Sequence, residues 1–239
     1  MNKPVSIGLI HGHGVDASIW DSIYADLALD NSVLKPDFAQ LTNLTTIDEY
    51  ADELYARLQA AKVEKVVLVG HSMGGYMALA FAEQHPEMVQ ALVLYHSTAT
   101  ADDENRRQAR QQAIDGLEME GPSPFIQKQL PKMVAPTYPP EKVQLLVERF
   151  KSLPADALIA GMKAIAGRPD RTGVLRNALF PVLLVLGRDD QLIPYEKTAQ
   201  LADLSNQISV AIIEQAGHLS MIEQPIASIQ TIRSFIGKF

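Results

Sequence analysis

Val66-Val67-Leu68-Val69-Gly70-His71-Ser72-Met73-Gly74-Gly75-Tyr76-Met77-Ala78-Leu79 is the stretch on which the fold turns. An apolar run, mostly β-branched, reads as a strand buried on both faces. It passes directly into Gly-x-Ser-x-Gly, and a helical pattern follows at once. Gly70 and Gly74 let the backbone pass close to its neighbours without Cβ clashes. Ser72 is then forced onto a strained turn with its hydroxyl held out from the sheet, the geometry of a nucleophile elbow. Three fixed residues in five arise by chance in roughly one chain in ten of this length. The flanking strand and helix are what make the motif specific.

Outward from this turn, the chain alternates strands and helices. Val5 to Ile10 reads as a first strand, followed by the loop His11-Gly12-His13-Gly14. A helix is expected over Ser18 to Leu29, a short strand over Ser32 to Lys35, and a helix after the capping box Thr46-Ile47-Asp48-Glu49. The elbow helix runs from Tyr76 to His85, and Ala91 to Tyr95 is another buried strand. Further on, Val182 to Leu186 and Ser209 to Ile213 read as strands and Tyr195 to Leu204 as a helix. A closing helix spans Pro225 to Phe239, with Ile226, Ile229, Ile232 and Ile236 on one face. Such repeats imply an α/β fold with a mostly parallel sheet of about six strands and helices on both faces. Between Ala99 and Asp170 no buried strand is visible, and eight of the fourteen prolines fall there. Helical patterns over Asp102 to Leu117, Glu141 to Phe150 and Ala155 to Ala166 make this a helical lid insertion. The expected organisation is a core over 1–98, a lid over 99–170 and the rest of the core over 171–239.

The length of 239 residues suits one such lidded domain, and 47% hydrophobic residues supply a core. A net charge of −7 argues against nucleic acid or an anionic membrane as partner. Cysteine is absent, which removes disulfides and thiolate chemistry. No stretch approaches a membrane span, and the start, Met1-Asn2-Lys3-Pro4, lacks a secretory pattern. A cytoplasmic location is the expectation.

Ser72 needs a base, because a free hydroxyl is a poor nucleophile until an imidazole takes its proton. His218, in the loop after the last strand, suits that role. Its orienting carboxylate belongs in Gly187-Arg188-Asp189-Asp190, also after a strand, and spacing alone does not choose between the two acids. All these positions follow carboxyl ends of strands, where sites in parallel sheets lie.

The order Ser72, Asp190, His218 resembles the triad of the α/β-hydrolase family along the whole chain. The family's acid loop pattern falls on Gly187, Asp190 and Pro194, which implies Asp190 as the acid, with Asp189 as the alternative. Gly217-His218 and Glu223-x-Pro225 resemble its histidine loop. His11-Gly12-His13-Gly14 resembles its oxyanion loop, which implies the N–H groups of His13 and Met73 as oxyanion donors. Two strands that often begin the family's sheet have no room here.

His11 and His71 are expected to brace loops. His96 is a candidate for the substrate pocket, weighed evenly against a structural role. Asp102 and Asp103 are helix-start residues before they are acids, and Arg106, Arg107 and Arg110 read as a solvated face. Met77, Met119, Met133 and Met162 are core candidates. Phe125, Phe150 and Met162, with Met133 and Tyr138, are expected under the lid, favouring small or medium apolar groups. Neither a metal set nor a dinucleotide motif is visible, and no cofactor is required. The expectation is a serine esterase acting on a small molecule. A non-catalytic receptor, or a lyase or perhydrolase with the same triad, is the alternative.

Overall fold

Residues 4–238 are described by a computed structural model. Met1 to Lys3 of the start and Phe239 of the expected closing helix lie outside the described residues. The run before Gly70 becomes β3 (Val66–His71) of a six-stranded parallel sheet. Before it come β1 (Ser6–Ile10), α1 (Asp21–Leu27), β2 (Ser32–Leu34) and α2 (Ile47–Ala60). After it come α3 (Met73–Gln84) and β4 (Val89–Tyr95). Then α4 (Glu104–Glu120), α5 (Pro122–Gln129), α6 (Pro140–Phe150), α7 (Ala155–Gly167) and α8 (Thr172–Arg176) follow without a strand among them. The chain ends with β5 (Val182–Gly187), α9 (Tyr195–Ala199), β6 (Ile208–Ile213), α10 (Ser220–Glu223) and α11 (Pro225–Ile236). Strand order is β2-β1-β3-β4-β5-β6, and every neighbour pair is parallel.

Strand alternation divides the core in two. Val67, Val69 and Val93 face one side, where Trp20, Ile23 and Phe235 pack. Val66, Leu68, Leu92 and Leu94 face the other, against Tyr50, Leu54 and Phe81. β3 is therefore buried throughout, and its unbroken apolar run follows from that. At the N-terminus of α2 the capping box forms: Thr46 accepts from the Glu49 N–H at 3.2 Å, and Glu49 accepts from the Thr46 N–H at 2.9 Å. Prolines open α5, α6 and α11, where the missing N–H costs nothing.

Several expectations need correction. The elbow helix begins at Met73, immediately after the serine, because Gly74 and Gly75 tolerate the helical first turn. The expected helix over 195–204 tightens into a 3-10 turn from Gln200. The short helices α5, α8 and α10 escape a periodicity reading because none exceeds eight residues. In α11 the buried residues are Ser228, Ile232, Phe235 and Ile236, whereas Ile226 is 71% exposed at the first turn. Met119 is also outside the core, at 84% exposure. No described helix is long and apolar enough to cross a membrane.

Candidate active site

The turn at Ser72 is strained as its sequence demands. Its φ is 52° and ψ −116°, a conformation that an L side chain adopts only when the surroundings enforce it. The enforcement is visible on both sides. A Cβ on Gly70 would stand 2.4 Å from the Gly74 carbonyl oxygen, and one on Gly74 would stand 2.4 Å from that of Ile10. Backbone hydrogen bonds complete the clamp: Ser72 N–H donates to Tyr95 O at 3.0 Å, and Ser97 Oγ donates to Ser72 O at 2.7 Å.

His218 arrives from the loop between β6 and α10. Gly217 makes that approach possible, since a Cβ there would meet the Ala135 nitrogen at 2.4 Å. Glu223 gathers the loop, accepting from the N–H groups of Gly217 (3.0 Å), Leu219 (3.1 Å) and Ala135 (2.7 Å). His71 braces it from beneath, its Nε2–H donating to the His218 carbonyl at 2.9 Å.

His218 Nδ1 meets Asp190 Oδ2 at 2.7 Å, and both side chains are buried. The other oxygen of Asp190 accepts from the N–H groups of Leu192 (2.9 Å) and Ile193 (3.0 Å). These two amides turn Asp190, and not Asp189, toward the imidazole. Burial by itself would raise the Asp190 carboxyl. The charge and hydrogen bond of His218 outweigh it and hold the carboxyl well below the usual range. An ionised Asp190 keeps the proton of His218 on Nδ1 and leaves Nε2 as a base.

Ser72 and His218 open on the same cavity of about 650 Å³. No hydrogen bond joins the Ser72 hydroxyl to His218 among the described residues. Such links are often long in the absence of substrate and tighten only with substrate in place.

His11 holds the loop after β1, donating from Nδ1 to Gly12 O at 2.8 Å and accepting at Nε2 from Phe38 N–H at 2.8 Å. His13 follows, its Nε2–H donating to Leu158 O in α7 at 2.7 Å. Met73 is the first residue of α3, so its N–H has no intrahelical acceptor.

His96 requires a correction. It does not line the cavity: it is fully buried, and its Nδ1 lies 3.2 Å from Asp190 Oδ2. Its position follows from a chain of hydroxyls. Ser228 Oγ donates to the carbonyl of Gln224 at 2.9 Å, so it accepts from Tyr95 Oη at 2.7 Å. Tyr95 then accepts from Ser220 Oγ at 2.7 Å, and Ser220 accepts from His96 Nε2–H at 2.6 Å. A neutral His96 thus presents its Nδ1 lone pair to Gly187 N–H at 3.2 Å. Tyr95, Ser220 and Ser228 carry no sequence signal for this role; only Tyr95-His96 at a strand end hints at it.

Phe125 and Met162 are on the cavity wall with Met133, whereas Phe150 is fully buried in the core because α6 turns that side inward. Asp103 caps α4, accepting from Arg106 N–H at 2.9 Å, and Asp102 is buried against arginines, so neither reaches His218. Arg106 and Arg110 line the cavity, contrary to their reading as a solvated face. His96, Asp190 and His218 form the one group of potential metal ligands found among the described residues. A 2.7 Å contact between two of them is a direct hydrogen bond. Ligands held about 2.0–2.2 Å from a tetrahedral zinc lie well over 3 Å apart. The geometry fits a proton relay and not a chelate.

Three histidines, His71 and His96 in the interior and His13 at the cavity, are held in neutral form. Burial lowers His13 to about 4. It is also the main cause that takes His71 well below, and His96 below, the ordinary value of 6.5. The unfolded chain protonates its histidines near 6.5, so it binds more protons than the folded chain between about 6.5 and 4. Stability is full above that window and falls as pH drops through it. Glu223 acts oppositely: burial raises its carboxyl, and its share is lost as pH rises through the raised value. Three histidines outweigh one carboxyl, so the urea midpoint of unfolding is expected to fall steadily from pH 7 to pH 5. A flat midpoint over that range contradicts neutral burial.

The pattern of the alpha/beta hydrolase fold matches residues 19–225. A thermophilic esterase from Thermogutta terrifontis, solved with malate bound, is similar with a TM-score of 0.93 and 27% identity, over 100% of this chain and 91% of that one. The 2-hydroxymuconate semialdehyde hydrolase of Pseudomonas sp. (strain CF600) is 24% identical over 253 residues, 96% of this chain and 86% of its own. A protein of Pseudomonas savastanoi pv. phaseolicola with the provisional name carbamate hydrolase RutD is 26% identical over 245 residues, 95% of this chain and 92% of its own. The three names share hydrolysis and differ in substrate.

Proposed function

The chain belongs to the α/β-hydrolase fold family, and from that premise we propose that it is a serine hydrolase cleaving small or medium carboxylic esters through an acyl-enzyme on Ser72. The observation that carries the reading is the 2.7 Å bond from His218 to a buried, ionised Asp190, beside a serine on a strained turn in the same cavity. His218 Nε2 takes the Ser72 proton as Oγ attacks the ester carbonyl. The N–H groups of His13 and Met73 receive the negative charge that develops on the carbonyl oxygen; one such donor is worth about two to three orders of magnitude in rate. His218 returns the proton to the departing alcohol as the C–O bond breaks. Water, deprotonated by the same imidazole, then attacks the acyl group and frees Ser72.

We read residues 99–170 as a lid inserted between core segments 1–98 and 171–239. Its helices α5 and α7 bring Phe125 and Met162 to the cavity, and Ile193 joins them from the acid loop. This wall favours an apolar acyl or alcohol group next to the reacting carbonyl. The test is a panel of 4-nitrophenyl esters of graded acyl length, with a carbamate and a vinylogous semialdehyde as comparators. Esters of short to medium length are expected to give the highest kcat/KM, and Met162→Trp to shift the optimum to shorter chains. Turnover of the semialdehyde alone assigns C–C bond cleavage instead, and ligand binding without any turnover assigns a receptor.

A further inference from the structure

We propose that the cavity also holds a binding site for a carboxylate on the substrate, so that the ester cleaved carries an acid group away from the scissile bond. The inference rests on the ester-hydrolase reading and adds the substrate class to it. The chain as a whole is acidic, at −7. Its cavity is not: Arg106, Arg110, Lys128 and Lys132 stand on the wall against a single acid, Glu120.

Arg106 and Arg110 are only partly engaged by structural partners. Asp102 is the buried carboxylate they surround. Arg168 satisfies one of its oxygens from Nη2 at 2.8 Å and directs its other nitrogens to Ile165 O at 2.8 Å and Thr100 O at 3.2 Å. Its guanidinium also stacks on Tyr76 at 4.1 Å. Arg110 touches Asp102 through Nε alone, at 3.1 Å, and among the described residues its two terminal nitrogens have no hydrogen-bond partner. Arg106 approaches Asp102 only to 4.0 Å. Three guanidiniums thus share one carboxylate, and the excess charge lies on the cavity side. Among the described residues, neither Lys128 nor Lys132 has an acidic partner within 4 Å.

The arrangement is aimed. On α4, Arg106 and Arg110 alternate with Ala109, Ala113 and Gly116, so two long cationic side chains stand beside a trough of small residues. The charge of Arg110 reaches the His13 ring, where it helps to disfavour protonation. A planar guanidinium fixed by its Nε offers a preformed fork for a carboxylate, which is the geometry of a bidentate pair.

The test compares 4-nitrophenyl hemiglutarate with the uncharged 4-nitrophenyl pentanoate of matched length. At low salt the hemiester is expected to have a kcat/KM about tenfold higher, as charge-assisted hydrogen bonds allow, and the ratio is expected to shrink as salt screens the lysines. Arg110→Gln and the pair Lys128→Gln/Lys132→Gln should each collapse that ratio. Arg107→Gln, on α4 but off the cavity wall, should leave it intact. Calorimetric titration of the Ser72→Ala protein with the same two esters reads binding without turnover. Arg110-dependent binding of the hemiester supports the site even if neither ester is hydrolysed, a result that would overturn the hydrolase reading alone. Equal kcat/KM and equal binding for the two esters overturn the site and leave the hydrolase reading standing.

Discussion

Replacing Ser72 by alanine is expected to lower kcat on the best ester by about four to six orders of magnitude while leaving the protein folded. The size of the effect follows from the chemistry: without Oγ there is no acyl-enzyme, and the residual rate comes from binding and the oxyanion donors alone. The folding part follows from the structure. The Ser72 hydroxyl has no hydrogen-bond partner among the described residues, and alanine keeps the same Cβ on the same strained turn. The melting temperature should therefore move little. Ser72→Gly makes the complementary point. Glycine accepts a φ of 52° without a Cβ penalty, so this variant should be equally inactive and more stable by about 1 kcal/mol, the strain a non-glycine residue carries there. A Ser72→Ala protein that melts normally and still hydrolyses esters at the wild-type rate would remove the nucleophile from the mechanism.

Asp190→Asn is expected to cost about four orders of magnitude in kcat, the loss seen when a triad aspartate becomes an amide. The asparagine still accepts from Leu192 and Ile193 N–H through one oxygen, so the acid loop keeps its shape. Its amide nitrogen, however, now faces His218 Nδ1 as a donor. The imidazole responds by carrying its proton on Nε2, where it can no longer take one from Ser72. Asp189→Asn is the control: its side chain is partly exposed and reaches no histidine, so activity should stay within about twofold, as for other surface substitutions. Equal losses in the two variants would mean that the loop, and not one carboxylate, carries the effect. Low pH tests the same bond thermodynamically. The carboxyl of Asp190 is depressed below its unfolded value of 3.8, so its contribution is present above that pH and lost as pH falls through the folded value.

What the sequence made legible was the backbone of the problem. An apolar run feeding Gly-x-Ser-x-Gly permits few structures, because Gly70 and Gly74 have backbone within 2.4 Å of where a Cβ would go. The alternation of apolar strands and amphipathic helices likewise leads to a parallel sheet. What stayed hidden depends on which way a side chain turns. Asp189 and Asp190 are neighbours on one loop, and two backbone amides decide between them. His96 ends a strand on the side where ligands bind, but a backbone φ of 49° takes it under the site, against Asp190 and Ser220. Phe150 and Phe125 both belong to amphipathic helices, and only packing tells a core phenylalanine from one on a cavity wall. Arg106 and Arg110 sit at helical spacing on a charged helix. Open solvent and a polar cavity accept such a face equally, so periodicity could not separate them.

The central claim is that the hydroxyl of Ser72 is the nucleophile, and trapping it is the most direct measurement. The protein is incubated with a fluorophosphonate, digested, and its peptides are weighed. The expected result is one phosphonyl group per chain on the peptide that contains Ser72, absent from the Ser72→Ala protein and slowed in Asp190→Asn. Ester turnover that persists with Ser72 unlabelled, or a label on any other residue that abolishes it, would contradict the account.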